Sequence, residues 1–334
     1  MRRFFASSLF VRSLLGAALL ASSARFACAA PATLPPGMEI PPAAMAGLEK
    51  LYAGDPGGAL EQFRAIEQAQ PDHPLGYMLE GEARWWNIFC STAEFKFGMV
   101  EIWRRPKLPE DQAYFDVAQK VITLAEARLA RGESAEMHFY SAMGESLNAR
   151  LYGLRLERGN AARSGVRARE HFLRALALEP NFADADLGIG LYNYYVDTLS
   201  AMARILRFFM GIPGGNKEEG IRQLRHAMTE GTLSRVEARF YLARDLRLYD
   251  RDYERALVVL APLNDQYPSN PFFTLYRGDL LAKLARKEQA AVWYRKAAAL
   301  DPPNPEWRRK THELAAAGLA ALGPEYALPV PALH

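Results

Sequence analysis

Cysteine is almost missing from this sequence: only Cys28 and Cys90 occur among 334 residues. No Cys-x-x-Cys pair exists for zinc or redox chemistry. If cleavage removes Cys28, no intrachain disulfide can form. A lone Cys90 between Phe89 and Ser91 then reads as a small buried residue rather than a nucleophile. Clustered charge is missing too. Lysine and arginine total 41 against 38 acids, a net of +3 spread along the chain, unlike the basic stripe of a nucleic-acid binder. The histidines (His73, His138, His171, His226, His312 and His334) are dispersed, and no His-Glu-x-x-His motif or Gly-x-Ser-x-Gly elbow occurs. Gly211 to Lys217 is glycine-rich but has neither the spacing nor the following hydroxyl of a phosphate loop. These patterns point to no catalytic residue, no metal and no cofactor, so a non-enzymatic protein is expected.

What is present begins with an export signal. Arg2, Arg3 and Arg12 give a positive start, Leu14 to Leu20 an apolar run too short to span a bilayer comfortably, and Ala27-Cys28-Ala29 a small-residue cleavage site. Residues 1–29 are therefore expected to be a signal peptide, with the mature chain starting near Ala30 in a bacterial-type periplasm. Arg2-Arg3-Phe4-Phe5 loosely matches a twin-arginine signal. A lipidated Cys28 would instead tie the protein to the outer membrane, although Arg25 stands where that pattern wants an aliphatic residue.

The mature part is rich in aromatics, with 17 Phe, 15 Tyr and 5 Trp, the composition of an ordered, packed protein. From Phe240 to Pro302 one pattern occurs twice: Ala256, Leu260, Leu263 and Pro268 return 34 residues later as Ala290, Tyr294, Ala297 and Pro302. In period and residue types it resembles the tetratricopeptide repeat family. That resemblance implies an all-α fold, a right-handed superhelical solenoid of helix pairs with inserted helices and a C-terminal capping helix, and a use in binding a protein or peptide partner.

Taken in order, residues 30–42 form a proline-rich leader that is extended rather than helical. Six repeats follow at about 40–73, 74–131, 137–182, 183–234, 237–270 and 271–304, then a cap at 306–322 and a tail at 323–334. Gly47, Gly81, Gly144, Gly190 and Gly278 fall where the first helix of a pair must approach its neighbour closely. In the second repeat an apolar insert at 87–109 delays the second helix to Ala118, Ile122 and Ala125, and is expected to fold back on the row. In the third, Gly159, Asn160 and Gly165 mark a turn from Arg158 to Gly165.

The fourth repeat carries an insert at 194–215 with a helical apolar stripe, Val196, Leu199, Met202, Ala203, Leu206 and Met210, interrupted by Arg204 and Arg207. The stretch from Leu187 through Gly220 is similar to a eukaryotic tetratricopeptide family linked to inclusion-body clearance at the mitochondrial outer membrane. That likeness implies only an elaborated helix pair near a membrane and transfers no functional residue.

The first helix of each pair lines the inner wall of such a row. The expected partner groove comprises Met78, Glu82, Trp85 and Trp86; His138, Glu145 and Asn148; Leu191, Tyr194 and Tyr195; Tyr241, Asp245 and Tyr249; and Leu275, Asp279 and Lys283. Aromatics lose little entropy for the area they bury, and an acidic middle favours a basic peptide. Each aromatic has a second reading as core. Of the adjacent pairs Trp85-Trp86 and Tyr194-Tyr195, at most one member can face the groove squarely. Two other uses compete: an outer-membrane adaptor held by Cys28 or by the helix from Met202 to Met210, and a small-ligand pocket closed by the 87–109 insert near Glu82, His138 and Glu145.

Overall fold

The computed structural model describes residues 34–103, 107–109, 111–199, 207 and 211–328. The expected export signal with Cys28, the start of the proline-rich leader, the stretch from Met202 to Met210 apart from Arg207, and residues 329–334 lie outside them.

Proline and short polar side chains start most of the helices. Helix α1 (Pro42–Tyr52) opens on a proline, whose missing N–H costs nothing in a first turn. Asp55 starts α2 (Pro56–Ala69) by accepting from the Gly58 N–H at 2.9 Å. The same logic gives α3 (Pro74–Thr92) and α5 (Ala135–Leu154), capped by His73 and Ser134. Helix α4 spans Asp111–Leu129, α6 Arg158–Leu178 and α7 Ala183–Asp197. Asn216 caps α8 (Lys217–Glu230). Helix α9 (Arg235–Asp245) runs into a π turn, Leu246–Asp250, that stops at Arg251 in the left-handed region (φ 55°). Asp252 then caps α10 (Tyr253–Gln266), Asn270 caps α11 (Pro271–Lys283), and α12 spans Lys287–Ala298. Asn304 caps α13 (Pro305–Leu322).

Thirteen α-helices and one two-stranded hairpin thus make up the regular structure of the described residues. Each helix packs on the next in the chain, and first helices of adjacent pairs also touch: α1 with α3, α3 with α5, α5 with α7, α7 with α9, and α11 with α13. Glycine allows the closest crossing. A Cβ on Gly220 of α8 would lie 2.6 Å from the Gly190 carbonyl oxygen of α7, so the two backbones meet with no side chain between them.

Two segments differ from the sequence reading. The turn expected at Arg158–Gly165 is instead the first two turns of α6, and the chain reverses at Arg155–Glu157, with Leu156 at φ 68°. The Asn160 amide donates to the Glu157 carboxylate at 2.6 Å, so a residue read as a turn former supports a helix start. Within the 87–109 insert, α3 continues to Thr92, and the chain then forms an antiparallel hairpin of β1 (Ala93–Lys96) and β2 (Met99–Ile102), with Phe95 opposite Val100. The hairpin does fold back, packing on α3, α11 and α13.

The row of helix pairs also meets itself. The Asn270 amide donates to the Tyr52 carbonyl at 2.8 Å, the Ser269 hydroxyl to the Ala53 carbonyl at 2.7 Å, and the Tyr267 hydroxyl to Glu49 at 3.1 Å. The loop before α11 therefore closes on the end of α1. The Trp307 indole N–H of α13 donates to Asn87 of α3 at 3.1 Å. In an open array of repeats each unit touches only its neighbours, so these contacts enclose the interior.

Candidate interaction site

Apolar packing at the centre follows from that closure. Trp86, 2 % exposed, has the rings of Phe240, Phe89, Phe273, Tyr52 and Phe272 around it at 5.0 to 6.4 Å. Trp85 donates its indole N–H to the Tyr241 hydroxyl at 2.9 Å and lies under the Arg150 guanidinium. Arg150 forms a two-pronged ion pair with Glu82 and also donates to the Tyr241 hydroxyl at 3.2 Å. Glu237 stands nearby, and burial, with the Glu82 charge after it, pushes its carboxyl well above the ordinary carboxylate range. Glu82, Trp85 and Tyr241 are thus linked through Arg150, Trp86 lies among its own ring neighbours, and Met78, Leu275 and Asn148 are buried as well.

The three residues considered for a small-ligand pocket have separate partners. Glu82 pairs with Arg150, Glu145 with Arg167, and His138 Nδ1 meets His171 Nδ1 at 2.9 Å. The cavity that Glu82 lines, with Tyr52, Met78 and Glu237 among its other walls, has a volume of about 10 Å³, room for one water molecule at most.

The hairpin covers two residues expected to line the groove, Asp279 and Lys283. Asp279 of α11 accepts the Val100 N–H at 2.7 Å, while Arg247 donates to the Val100 carbonyl at 2.8 Å and to Asp279 at 2.8 Å. Both main-chain groups of one β2 residue are therefore held by side chains of the wall. Next to it, Glu101 receives Arg244, Arg247 at 2.7 Å and the Tyr276 hydroxyl at 3.1 Å. Burial alone would push the Glu101 carboxyl up, but Arg244 and Arg247 outweigh it and hold it below the ordinary value. At the hairpin tip the Lys283 ammonium donates to the Phe97 carbonyl at 2.6 Å.

Part of the expected wall stays accessible. Tyr194, Tyr195 and Tyr249 form a three-ring cluster with centroids 5.8 to 6.2 Å apart, and Tyr249 is 50 % exposed. The Tyr195 hydroxyl donates to Asp245 Oδ1 at 3.2 Å, and the Tyr194 hydroxyl to Asp250 at 2.9 Å, where Lys217 also pairs at 2.8 Å. Asp245 is completely buried, yet its Oδ2 has no hydrogen-bond partner among the described residues. Burial raises its carboxyl to about 7, against a weaker lowering by Arg244. Tyr194 is fully buried and Tyr195 half-buried, so a further donor reaches this unsatisfied acceptor only if the groups over it move. Leu191 lies half-buried on the same helix as Tyr194.

No family model matches this chain, and no curated protein does either. No helix of the described residues is long and apolar enough to cross a membrane, and they contain no cluster of His, Cys, Asp or Glu suited to a metal ion.

Sequence reasoning named Tyr194, Tyr195, Asp245 and Tyr249 among the residues of one expected groove, and these four meet in space. It missed Arg247, Glu101 and Arg150, whose partners lie far away in the chain. Their only sequence signal was a charge inside an otherwise apolar stretch, as with Glu101 between Val100 and Ile102.

Proposed function

We propose that this chain is a non-enzymatic scaffold of tetratricopeptide-like helix pairs, exported to the cell envelope, that binds a protein or peptide partner. The inner wall is largely committed to the chain's own core and hairpin. What it still offers a partner is the tyrosine cluster over Asp245, with a lysine or arginine side chain as the fitting anchor. The observation that carries this reading is the buried, unpartnered Oδ2 of Asp245 beneath Tyr195 and the half-exposed Tyr249. A desolvated carboxylate gains more from a cation than one in water, and flanking rings add cation–π attraction of about 0.5–2 kcal/mol. The aromatic-rich inner positions and the export signal support partner binding in the periplasm, and the pairwise stacking of helices is compatible with a solenoid.

The test is fluorescence anisotropy with a labelled lysine-containing decapeptide and its norleucine counterpart, alongside crosslinked capture from a periplasmic extract. Wild-type protein is expected to prefer the lysine peptide, and Tyr195→Ala with Tyr249→Ala to lose both that preference and the captured partner. Equal binding of the two peptides, or equal capture by wild-type and variant, would overturn the reading.

A further inference from the structure

A second surface, of opposite character, lies elsewhere on the molecule. Helices α10, α11 and α12 enclose a cleft of about 340 Å³, within the size range of ligand and side-chain pockets. Its apolar walls are Leu257, Leu281, Val292 and Trp293. Val292 is 62 % exposed, so this surface is left open to water. Arg277 projects from the α11 side, with its guanidinium carbon 4.2 Å from the centre of the Trp293 ring.

The charge balance is uneven. Arg286 at the rim is paired with Glu254, whereas Arg277 has no acidic partner among the described residues, and its Nε is buried without a hydrogen bond. The Lys296 ammonium sits 4.7 Å from the same Trp293 ring, adding a second positive charge beside it. A guanidinium held over an indole is restrained by that contact, and its planar fork suits two-pronged carboxylate recognition. The surrounding branched aliphatic wall asks for an apolar neighbour on the same ligand.

We infer that this cleft docks a partner segment in which an aspartate or glutamate lies beside a branched aliphatic residue, the carboxylate going to Arg277 and the aliphatic side chain onto Leu281 and Val292. The site is separate from the tyrosine cluster and prefers the opposite charge, so either can fail while the other holds.

The experiment uses the full chain and two synthetic octapeptides with blocked ends, one alternating leucine and glutamate, the other leucine and glutamine. Titration calorimetry is expected to show the glutamate peptide binding wild-type protein, with affinity about tenfold or more above the glutamine peptide, the scale of a charge-assisted hydrogen bond. Arg277→Gln is expected to abolish that difference, and Arg277→Lys to restore only part of it, because lysine gives a point charge and no fork. The peptide exchange on unaltered protein keeps the test valid even if an Arg277 variant misfolds. Equal affinity for the two peptides, no binding of the glutamate peptide at millimolar concentration, or an undiminished preference in folded Arg277→Gln would each overturn the assignment.

Discussion

Asn270 and Tyr52, 218 residues apart, are joined by a 2.8 Å hydrogen bond from the side-chain amide of the first to the main-chain carbonyl of the second. The oxygen of the same amide accepts from the Phe272 and Phe273 N–H groups at 2.9 and 3.1 Å, starting α11. One buried side chain therefore both caps a helix and ties the first helix to it. Asn270→Ala removes the cap, at about 0.5–2 kcal/mol, and leaves the Tyr52 carbonyl without this donor, at about 1–3 kcal/mol. The urea midpoint, followed by far-UV circular dichroism, is expected to fall accordingly. An unchanged midpoint would mean that the two ends are held by other contacts.

The crossing of α7 and α8 predicts a second loss. A methyl group on Gly220 would meet the Gly190 carbonyl oxygen at 2.6 Å and the Tyr194 N–H nitrogen at 2.9 Å, both backbone atoms that cannot rotate aside. The helices must separate, and overpacking of this kind costs about 1–3 kcal/mol. Gly220→Ala should lower the thermal midpoint even though alanine is the better helix former. A rise in the midpoint would show that the crossing yields easily.

The Asp245 carboxyl gives a prediction about pH. Its folded value, about 7, lies above that of an exposed aspartate, so the folded state favours the protonated form. The stability tied to that proton is complete below the unfolded value near 4 and is lost as pH rises through about 7. Asp245→Asn keeps an oxygen for the Tyr195 hydroxyl and removes the ionisation. The variant's stability relative to wild type is therefore expected to increase between pH 5 and pH 8, read from urea unfolding at both. A difference that stays constant with pH would show that Asp245 remains ionised throughout.

Binding at that site should follow the same proton. A cationic anchor favours the ionised carboxylate, so affinity for the lysine peptide is expected to rise as pH increases through about 7, with a proton released on binding. Calorimetry in two buffers of different ionisation heat measures the released proton directly, and a buffer-independent heat would rule it out.

His138 acts in the opposite sense. Burial, and then the facing His171 ring, lower its affinity for a proton, while Glu133 works weakly against them. The unfolded chain therefore binds that proton more readily. The contribution is complete above the unfolded value near 6.5 and is lost as pH falls through the lower folded value. Glu126 and Ser141, which touch His171, are retained in His138→Gln. That variant should lose less stability than wild type between pH 7 and pH 5, as measured by thermal unfolding, and an identical acid limb would remove His138 as its cause.

How much of this was legible follows from where each signal lies in the chain. Pro56, Pro74 and Pro271 announce helix starts through their own geometry, and Gly190 and Gly278 mark close crossings because the repeat period places them opposite a neighbouring helix. The turn at Arg158–Gly165 was misread because glycine and asparagine also occur in helices when the surrounding packing offsets their poor propensity. Trp85 and Trp86, of which at most one was expected to face the groove, are both buried, and nothing local shows that Tyr241 and Phe240 come round to meet them. The hairpin escaped for a related reason. Four-residue strands are too short for alternation to speak, and Glu101 looks like a surface charge until Arg244 and Arg247 stand beside it.

The enclosed ring of Trp86 bears on how the molecule is made. Phe240, Phe272 and Phe273, three of its covers, leave the ribosome long after the tryptophan does. Until they arrive, Trp86 has only Tyr52 and Phe89 of its five ring neighbours beside it. A chain cut short before Phe240 lacks three of the five rings around Trp86 and stays in that state.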